Sequence, residues 1–103
     1  VLTCEGDTFP GRVAASVLRA AGLPELIASS LEEYEAIALR LAHDRNALAA
    51  LKAKLAAART SAPLFDTARF TRHIEAAYRL VWERNRQGLA PDHIVVEPQG
   101  TAI

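Results

Sequence analysis

The sequence predicts a mainly α-helical fold in which one residual β-strand is followed by about four helices. Three observations favour this fold. A short apolar run opens the chain, four later segments carry apolar residues every three to four positions, and 21 of the 103 residues are alanine. Alanine has the highest helix propensity, and the three-to-four-residue spacing places apolar side chains along one face of a helix. A chain of this length is expected to form a single domain with a small core.

The predicted strand covers residues 1–4, an apolar run that ends at the polar stretch Glu5-Gly6-Asp7. A lone strand cannot satisfy its backbone hydrogen bonds, so we expect its partner strands to lie outside this chain. The sequence also contains no methionine. Both observations lead us to expect that the chain is part of a longer protein.

The first helix is predicted over residues 10–21. Either Asp7 or Thr8 can cap its N-terminus, because short polar side chains accept a hydrogen bond from a free N–H of the first turn. Gly22 follows the last turn, as glycine commonly does at the end of a helix. The residues expected to face the core are Val13, Val17, Leu18 and Ala21.

The second helix is predicted to begin after Ser30, which together with Glu33 matches the Ser-x-x-Glu capping box. Between the first two helices, residues 25–28 fit either a short strand or a helical turn, and the sequence leaves both open. The predicted apolar face of the second helix consists of Leu31, Tyr34, Ile37, Ala38 and Leu41.

Two further helices complete the predicted fold, and an aspartate can cap each of them. Asp44 precedes the third helix, whose apolar stripe is Leu48, Leu51 and Leu55. Asp66 precedes the longest helix, predicted over residues 67–87 and ending at Gly88. The apolar stripe of this last helix consists of Phe70, Ile74, Ala77, Tyr78 and Val81, with Trp82 at its edge.

Composition excludes several classes of protein. Twelve basic and twelve acidic residues give a net charge of zero, which removes any overall attraction to nucleic acid or to an anionic membrane. No apolar stretch is long enough for a membrane span, and the first residues lack the basic start of a signal peptide. A single cysteine excludes an internal disulfide framework and predicts a cytoplasmic location.

The net charge is distributed in three blocks along the chain. Residues 1–39 carry a net charge of −4, residues 40–86 carry +6, and residues 87–103 carry −2. In one interpretation these charges are solvated or pair with each other on helix surfaces. In the other, the basic middle block faces an acidic partner or a phosphate.

Neither a metal site nor a nucleophile is predicted. The three histidines and Cys4 are tens of residues apart, whereas zinc ligands usually occur in closely spaced pairs, so we expect no metal. Cys4 ends a strand just before a helix N-terminus, a position that favours the thiolate. The sequence offers no base beside it, so we predict an unreactive Cys4, a partly buried His73 and no catalytic residue in this chain.

A candidate ligand-binding loop joins the predicted strand to the first helix. The end of a strand, a turn containing glycine and a helix N-terminus together form a place where ligands bind in open α/β sheets. The candidate binding residues are Gly6, Asp7, Thr8 and Arg12. The alternative is an ordinary connection between a strand and a helix, with no ligand.

The segment from Val1 to Ser16 resembles a motif of the O-linked N-acetylglucosamine transferases, the SPINDLY-like glycosyltransferases with tetratricopeptide repeats. That motif reads Val-x-Thr-x-x-Gly-Glu-Thr-x-x-x-Arg-Val-Ala-x-Ser, and this chain has Asp7 at the position of Glu. The resemblance covers about residues 1–90. It continues in order through Gly22-Leu23-Pro24-Glu25-Leu26-Ile27-Ala28, Glu33-Tyr34-Glu35, Ala62-Pro63-Leu64-Phe65-Asp66-Thr67 and the stretch from Tyr78 to Glu83.

The resemblance implies a two-lobed GT-B enzyme that moves N-acetylglucosamine from UDP-N-acetylglucosamine to Ser or Thr hydroxyls of proteins, with inversion and without a metal. Residues 1–90 would then be the C-terminal segment of its Rossmann-like, donor-binding lobe. Residues 91–103 would form an extended or disordered tail, disordered from Gly100 onward. The partners implied are the remainder of the catalytic region and a protein acceptor.

The chain departs from the family pattern in two ways. The family's His-Thr-Thr-x-x-Asp motif, which holds the donor, does not occur in this sequence. The family's Pro-Gly-Glu-Thr appears here as Glu5-Gly6-Asp7-Thr8, so the acidic side chain is shorter and the proline is replaced. We therefore expect the chain alone to be inactive. The alternative is a non-catalytic helical interaction module, and in either case exposed apolar surface favours self-association.

Overall fold

A computed structural model describes residues 1–98 of the chain. It divides into two compact units, Val1–Phe65 and Asp66–Ile103. Helices dominate the described residues, which confirms the predicted mainly α-helical class. The elements are β1 (Thr3–Cys4), α1 (Phe9–Ala20), β2 (Ile27–Ala28), α2 (Leu31–His43), α3 (Arg45–Ala58) and α4 (Thr67–Arg86), with 3₁₀ turns at Pro24–Leu26 and Pro63–Phe65.

The first unit contains a two-stranded parallel sheet. Thr3 lies opposite Ile27, and Cys4 lies opposite Ala28. The expectation that the first strand has no partner in this chain is therefore wrong. For residues 25–28 the sequence allowed either a short strand or a helical turn, and the structure contains both. The 3₁₀ turn Pro24–Leu26 is followed by the strand Ile27–Ala28. A strand of two residues is too short to show an alternating pattern in the sequence. Val1 is 93% exposed, so the opening apolar run is not buried throughout.

Helix α1 connects the two strands, and both of its ends follow from local chemistry. The Thr8 hydroxyl oxygen accepts a hydrogen bond from the backbone N–H of Gly11 at 3.3 Å, which identifies Thr8 as the cap. At the other end Gly22 has a φ of +79°, a left-handed conformation that glycine adopts without strain. The N–H of Leu23 then donates to the carbonyl of Leu18 at 2.9 Å and closes the helix.

The core of the first unit is small and rich in alanine. Its buried hydrophobic residues are Ala15, Leu18, Ala21, Leu23, Leu26, Ala28 and Ala62. The predicted core face of α1 is only partly correct, because Val13 and Val17 are 42% and 45% exposed. Leu18 and Ala21 are buried as predicted, and Ala15, which the prediction omitted, is buried with them. Small side chains at such positions let a helix approach a strand closely.

Helices α2 and α3 begin at the predicted caps. The Ser30 hydroxyl accepts a hydrogen bond from the N–H of Glu33 at 3.1 Å, and the Asp44 carboxylate accepts one from the N–H of Ala47 at 3.0 Å. The Glu33 carboxylate, however, accepts from both the N–H and the hydroxyl of Ser29, each at 2.7 Å. The reciprocal half of the capping box therefore lies one residue earlier than in the usual motif.

These two helices use only part of their predicted apolar faces. Leu41 of α2 and Leu51 of α3 pack against the buried leucines of the core. Several other large apolar side chains on these predicted faces are exposed. Those that remain exposed are Leu31 (74%), Tyr34 (39%), Leu48 (38%) and Leu55 (41%).

The second unit contains α4 and the residues that follow it. Asp66 caps the helix by accepting a hydrogen bond from the N–H of Arg69 at 2.8 Å, and Gly88, at a φ of +69°, follows its end. No residue of α4 is fully buried. Most of its predicted apolar stripe is exposed, and Ala77 is half-buried. The most exposed members are Phe70 (63%), Tyr78 (70%), Val81 (52%) and Trp82 (64%).

The segment after α4 runs back along this helix without forming a helix or strand as far as residue 98. The Arg84 guanidinium donates to the carbonyl of Ala90 at 2.6 Å and lies 3.4 Å from the Asp92 carboxylate. Ile94 and Val96 are half-buried. The disorder predicted from Gly100 onward lies outside the described residues.

Replacing Leu23 tests the core of the first unit. Leu23 is 3% exposed, so Leu23→Ala is expected to lower the free energy of unfolding by about 2–5 kcal/mol, because the loss of buried methyl groups leaves a cavity. Leu39→Ala is the matched control, since Leu39 is 52% exposed and its replacement should change stability by less than about 0.5 kcal/mol. Urea unfolding followed by circular dichroism measures both. Equal stabilities for the two variants would contradict this assignment of the core.

Candidate functional site

The β1–α1 loop, residues 5–8, is folded tightly onto the first turn of α1. The N–H of Gly6 donates to the carbonyl of Gly11 at 3.1 Å, while the N–H of Gly11 donates to Thr8. A Cβ atom on Gly11 would lie 3.2 Å from Thr8 Oγ1 and 3.3 Å from Gly6 Cα. A side chain at this position would require Thr8 or Gly6 to shift by a few tenths of an ångström. Gly11 therefore favours this close approach, a role that the sequence alone does not reveal.

An ion pair holds the start of the loop to the last turns of α1. Arg19 Nη1 and Nη2 donate to the two carboxylate oxygens of Glu5 at 2.9 and 2.7 Å. The hydrogen bond from Arg19 lowers the pKa of Glu5 below its ordinary value of 4.5 and raises the pKa of Arg19. Sequence reasoning missed this pair, because residues 14 positions apart give no local signal.

The backbone of Glu5 also extends the sheet. Its N–H donates to the carbonyl of Ala28 at 2.9 Å, one position beyond the paired residues of β1 and β2. Ala28 is fully buried, so this hydrogen bond satisfies a carbonyl that water does not reach. The loop therefore begins at a residue bound both to the sheet through its backbone and to α1 through its side chain.

The structure only partly groups the four predicted binding residues. Gly6, Asp7 and Thr8 are consecutive and exposed, and Arg12 is exposed on the first turn of α1. Arg12 lies in a shallow groove along α1 whose lining contains none of the other three. The groove is lined by Glu5, Phe9, Arg12, Val13, Ser16, Val17 and Arg19.

The chemical groups available at the loop favour a neutral polar ligand more than a phosphate. Within the described part of the chain, no hydrogen bond or ion pair engages the carboxylate of Asp7. The N-terminus of α1 is a weak anion site, because Pro10 has no N–H and the N–H of Gly11 is bonded to Thr8. The accessible groups are thus a carboxylate, a hydroxyl and the guanidinium of Arg12 nearby, which suit hydroxyl groups of a ligand.

The other residues singled out in the sequence are not part of this loop. Cys4 is half-buried in β1 and His73 is half-buried in α4, while His43 Nδ1 lies 2.8 Å from the carbonyl of Leu39. Among residues 1–98, the structure gathers no group of three or more His, Cys, Asp or Glu side chains suited to a metal ion. No helix in the same range is both long and apolar enough to cross a membrane.

Comparison with known proteins identifies a family. Residues 1–74 match the family model described as glycosyl transferase family 41. The chain is 39% identical over 94 residues to the UDP-N-acetylglucosamine–peptide N-acetylglucosaminyltransferase of Caenorhabditis elegans. It is 42% identical over 97 residues to the probable enzyme of the same name, SEC, of Arabidopsis thaliana. It is 37% identical over 90 residues to the probable enzyme SPINDLY of Solanum lycopersicum.

These alignments cover most of this chain and a small part of each relative. They include 91%, 93% and 87% of the chain, but only 8%, 10% and 10% of the three relatives, respectively. The chain thus spans about a tenth of the length of the relatives it matches.

Replacing Glu5 separates its backbone role from its side-chain role. Glu5→Pro removes the N–H and leaves the buried Ala28 carbonyl without its partner, so we expect stability to fall by about 1–3 kcal/mol. Glu5→Gln keeps the N–H and loses only the exposed ion pair, so its effect should be smaller. Urea unfolding at pH 7 compares the two variants.

The same Glu5→Gln variant has a defined pH dependence. A lowered pKa in the folded state means that the ion pair contributes stability above pH 4.5, and that this contribution is lost as Glu5 is protonated at lower pH. The stability difference between wild type and Glu5→Gln should therefore narrow as the pH falls below 4.5. A difference that stays constant from pH 7 to pH 3 would contradict this role of the ion pair.

Proposed function

Because the chain belongs to glycosyl transferase family 41, we propose that it is the C-terminal segment of the donor-binding lobe of a protein glycosyltransferase. In this proposal residues 1–90 belong to the lobe and residues 91–103 form its tail. The reaction transfers N-acetylglucosamine from UDP-N-acetylglucosamine to a Ser or Thr hydroxyl. The names of the relatives support the reaction. The order of the motifs that residues 1–90 share with the transferases supports the placement.

The observation that carries the proposed role of the loop is the exposed, unpaired carboxylate of Asp7 on a loop that is held at both ends. Glu5 holds the loop to the sheet and to α1, and Thr8 holds it to the first turn of α1. A fixed carboxylate can accept hydrogen bonds from two neighbouring hydroxyls of a sugar without a cost in loop ordering. We assign Asp7 to the donor sugar, with Gly6 and Thr8 shaping its surroundings.

The chemistry of the transfer needs groups beyond this chain. The acceptor oxygen forms a bond to the anomeric carbon on the face opposite the leaving group and loses its proton to a base outside this chain or to water. The bond from that carbon to UDP breaks, and UDP takes the electron pair. Inversion at the anomeric carbon follows from this single displacement. Arg12 supplies one positive charge near the loop, and we propose that residues outside the chain, rather than a metal, hold most of the diphosphate charge.

A second candidate function is a non-catalytic helical interaction module. The exposed aromatic stripe of α4 favours it, since Phe70, Tyr78 and Trp82 are each more than 60% exposed and such patches commonly mark protein contacts. The two functions differ at the loop. An interaction module makes no demand on Asp7, whereas the transferase requires it for donor binding.

Asp7→Ala tests the donor role in the longer enzyme that contains this segment. Charged hydrogen bonds contribute about 1.5–3 kcal/mol, so the KM for UDP-N-acetylglucosamine should rise about tenfold or more, with the unfolding free energy unchanged. Steady-state kinetics at varied donor concentration measure this effect. Glu35→Ala is the matched control, because Glu35 is an equally exposed carboxylate on α2. An unchanged KM in Asp7→Ala would remove the donor role of the loop.

The 103-residue chain alone should show no sugar transfer. It lacks the His-Thr-Thr-x-x-Asp motif, and transfer requires a positioned acceptor and a stabilised leaving group. Incubation with radiolabelled UDP-N-acetylglucosamine and a Ser/Thr peptide measures this directly. Incorporation of label above an enzyme-free control would show that the chain is sufficient for catalysis.

A further inference from the structure

Helix α3 carries a row of positive charges without any acidic residue. Its sequence from Arg45 to Ala58 contains no Asp or Glu. Arg45, Lys52 and Arg59 are spaced seven residues apart, so they lie on one face of the helix. Each is about 10.5 Å along the axis from the next one. Arg59, the C-cap residue, keeps helical backbone angles and continues the row.

The three residues of this row are exposed, and within the described part of the chain none of them has a hydrogen bond or an ion pair. Lys54, on another side of the same helix, shows the contrast. Its ammonium group lies 2.7 Å from the carboxylate of Glu25. The chain thus neutralises one cation of α3 internally and leaves three in a line.

Two leucines accompany the row at the same spacing. Leu48 and Leu55 are seven residues apart and remain 38% and 41% exposed. Each is followed four positions later by a member of the row, Lys52 or Arg59. In a helix that pairs with a second helix, positions of each seven-residue repeat are lettered a to g, with apolar residues at a and charged residues at e. Leu48 and Leu55 fit position a, and Lys52 and Arg59 fit position e.

We propose that this surface, the α3 basic face (Arg45, Leu48, Lys52, Leu55 and Arg59), binds an acidic amphipathic helix of a partner protein. A helix with carboxylates at seven-residue intervals places one opposite each cation, and its apolar residues cover Leu48 and Leu55. This binding is independent of the proposed transferase function.

The composition of the face favours a protein helix over a membrane surface. A membrane-bound helix inserts bulky apolar and aromatic side chains below the headgroups. The residues between the charged positions of α3 are instead mostly alanine, and α3 contains no aromatic residue. A single line of charges also matches the geometry of a rod-shaped partner better than that of a plane.

The test uses the 103-residue chain and two synthetic helical peptides of four heptads. Both peptides have leucine at the a and d positions. At the e and g positions one peptide has Glu (the Glu peptide) and the other has Lys (the Lys peptide). Fluorescence anisotropy of the labelled peptides measures their binding to the chain. We expect the Glu peptide to bind and the Lys peptide not to bind. The triple variant Arg45→Glu, Lys52→Glu, Arg59→Glu should lose about tenfold or more in affinity for the Glu peptide and should gain binding to the Lys peptide.

Single variants provide the matched control. Lys52→Glu and Arg40→Glu change the charge equally, but Arg40 lies in the groove on the Lys54 side of α3. We expect Lys52→Glu to weaken binding of the Glu peptide. Arg40→Glu should change binding by less than about twofold, because the groove that contains Arg40 includes no residue of the α3 basic face and solvent screens exposed charges.

Three results would overturn the proposal. Equal binding of both peptides would show that charge does not select the partner. Binding to phosphatidylserine vesicles that the triple variant loses, without binding to the Glu peptide, would identify a lipid surface instead. Self-association in ultracentrifugation that the triple variant abolishes would identify a second copy as the occupant. The gain of Lys-peptide binding by the triple variant also excludes misfolding as the cause of its loss.

Discussion

The parallel pairing of β1 with β2 is the constraint on which the first unit depends. Because parallel strands require a crossover connection, α1 must pack against the sheet between them, and the alanine at position 15 is fully buried there. The same pairing brings the N–H of Glu5 to the carbonyl of Ala28. It thereby determines where the β1–α1 loop leaves the sheet and where Asp7 is presented to solvent.

The loop also shows how this chain accommodates a departure from the motif that it resembles. Proline restricts the backbone at the position where this chain has Glu5, but proline has no N–H to donate. Glu5 supplies a hydrogen bond to the sheet and an ion pair with Arg19. The contacts of Glu5 with the sheet and with Arg19 therefore hold the backbone here in place of the proline ring. The loop that carries the candidate donor residues is attached through Glu5 at one end and through Thr8 at the other.

The net charge of zero is the sum of charges that pair with each other and charges that remain unpaired. Glu5 and Arg19 neutralise each other, as do Glu25 and Lys54, and these pairs stabilise the positions of loops and turns. Two groups of exposed charges without a partner among the described residues are the ones to which we assign a ligand. They are the Asp7 carboxylate, proposed for the donor sugar, and the row on α3, proposed for an acidic helix.

The sequence by itself determined where each helix begins, to within one residue. Ser30, Asp44 and Asp66 act as caps, as predicted, and Thr8 is the one of two predicted candidates that caps the first helix. Caps can be predicted because a cap and the N–H from which it accepts a hydrogen bond lie within three residues of each other. The sequence also indicated the exposed loop of residues 5–8. Only the tertiary structure decided the pairing of β2, the Glu5–Arg19 contact and which apolar side chains are buried. Those depend on residues distant in sequence, and a periodic pattern identifies an apolar face without showing what covers it.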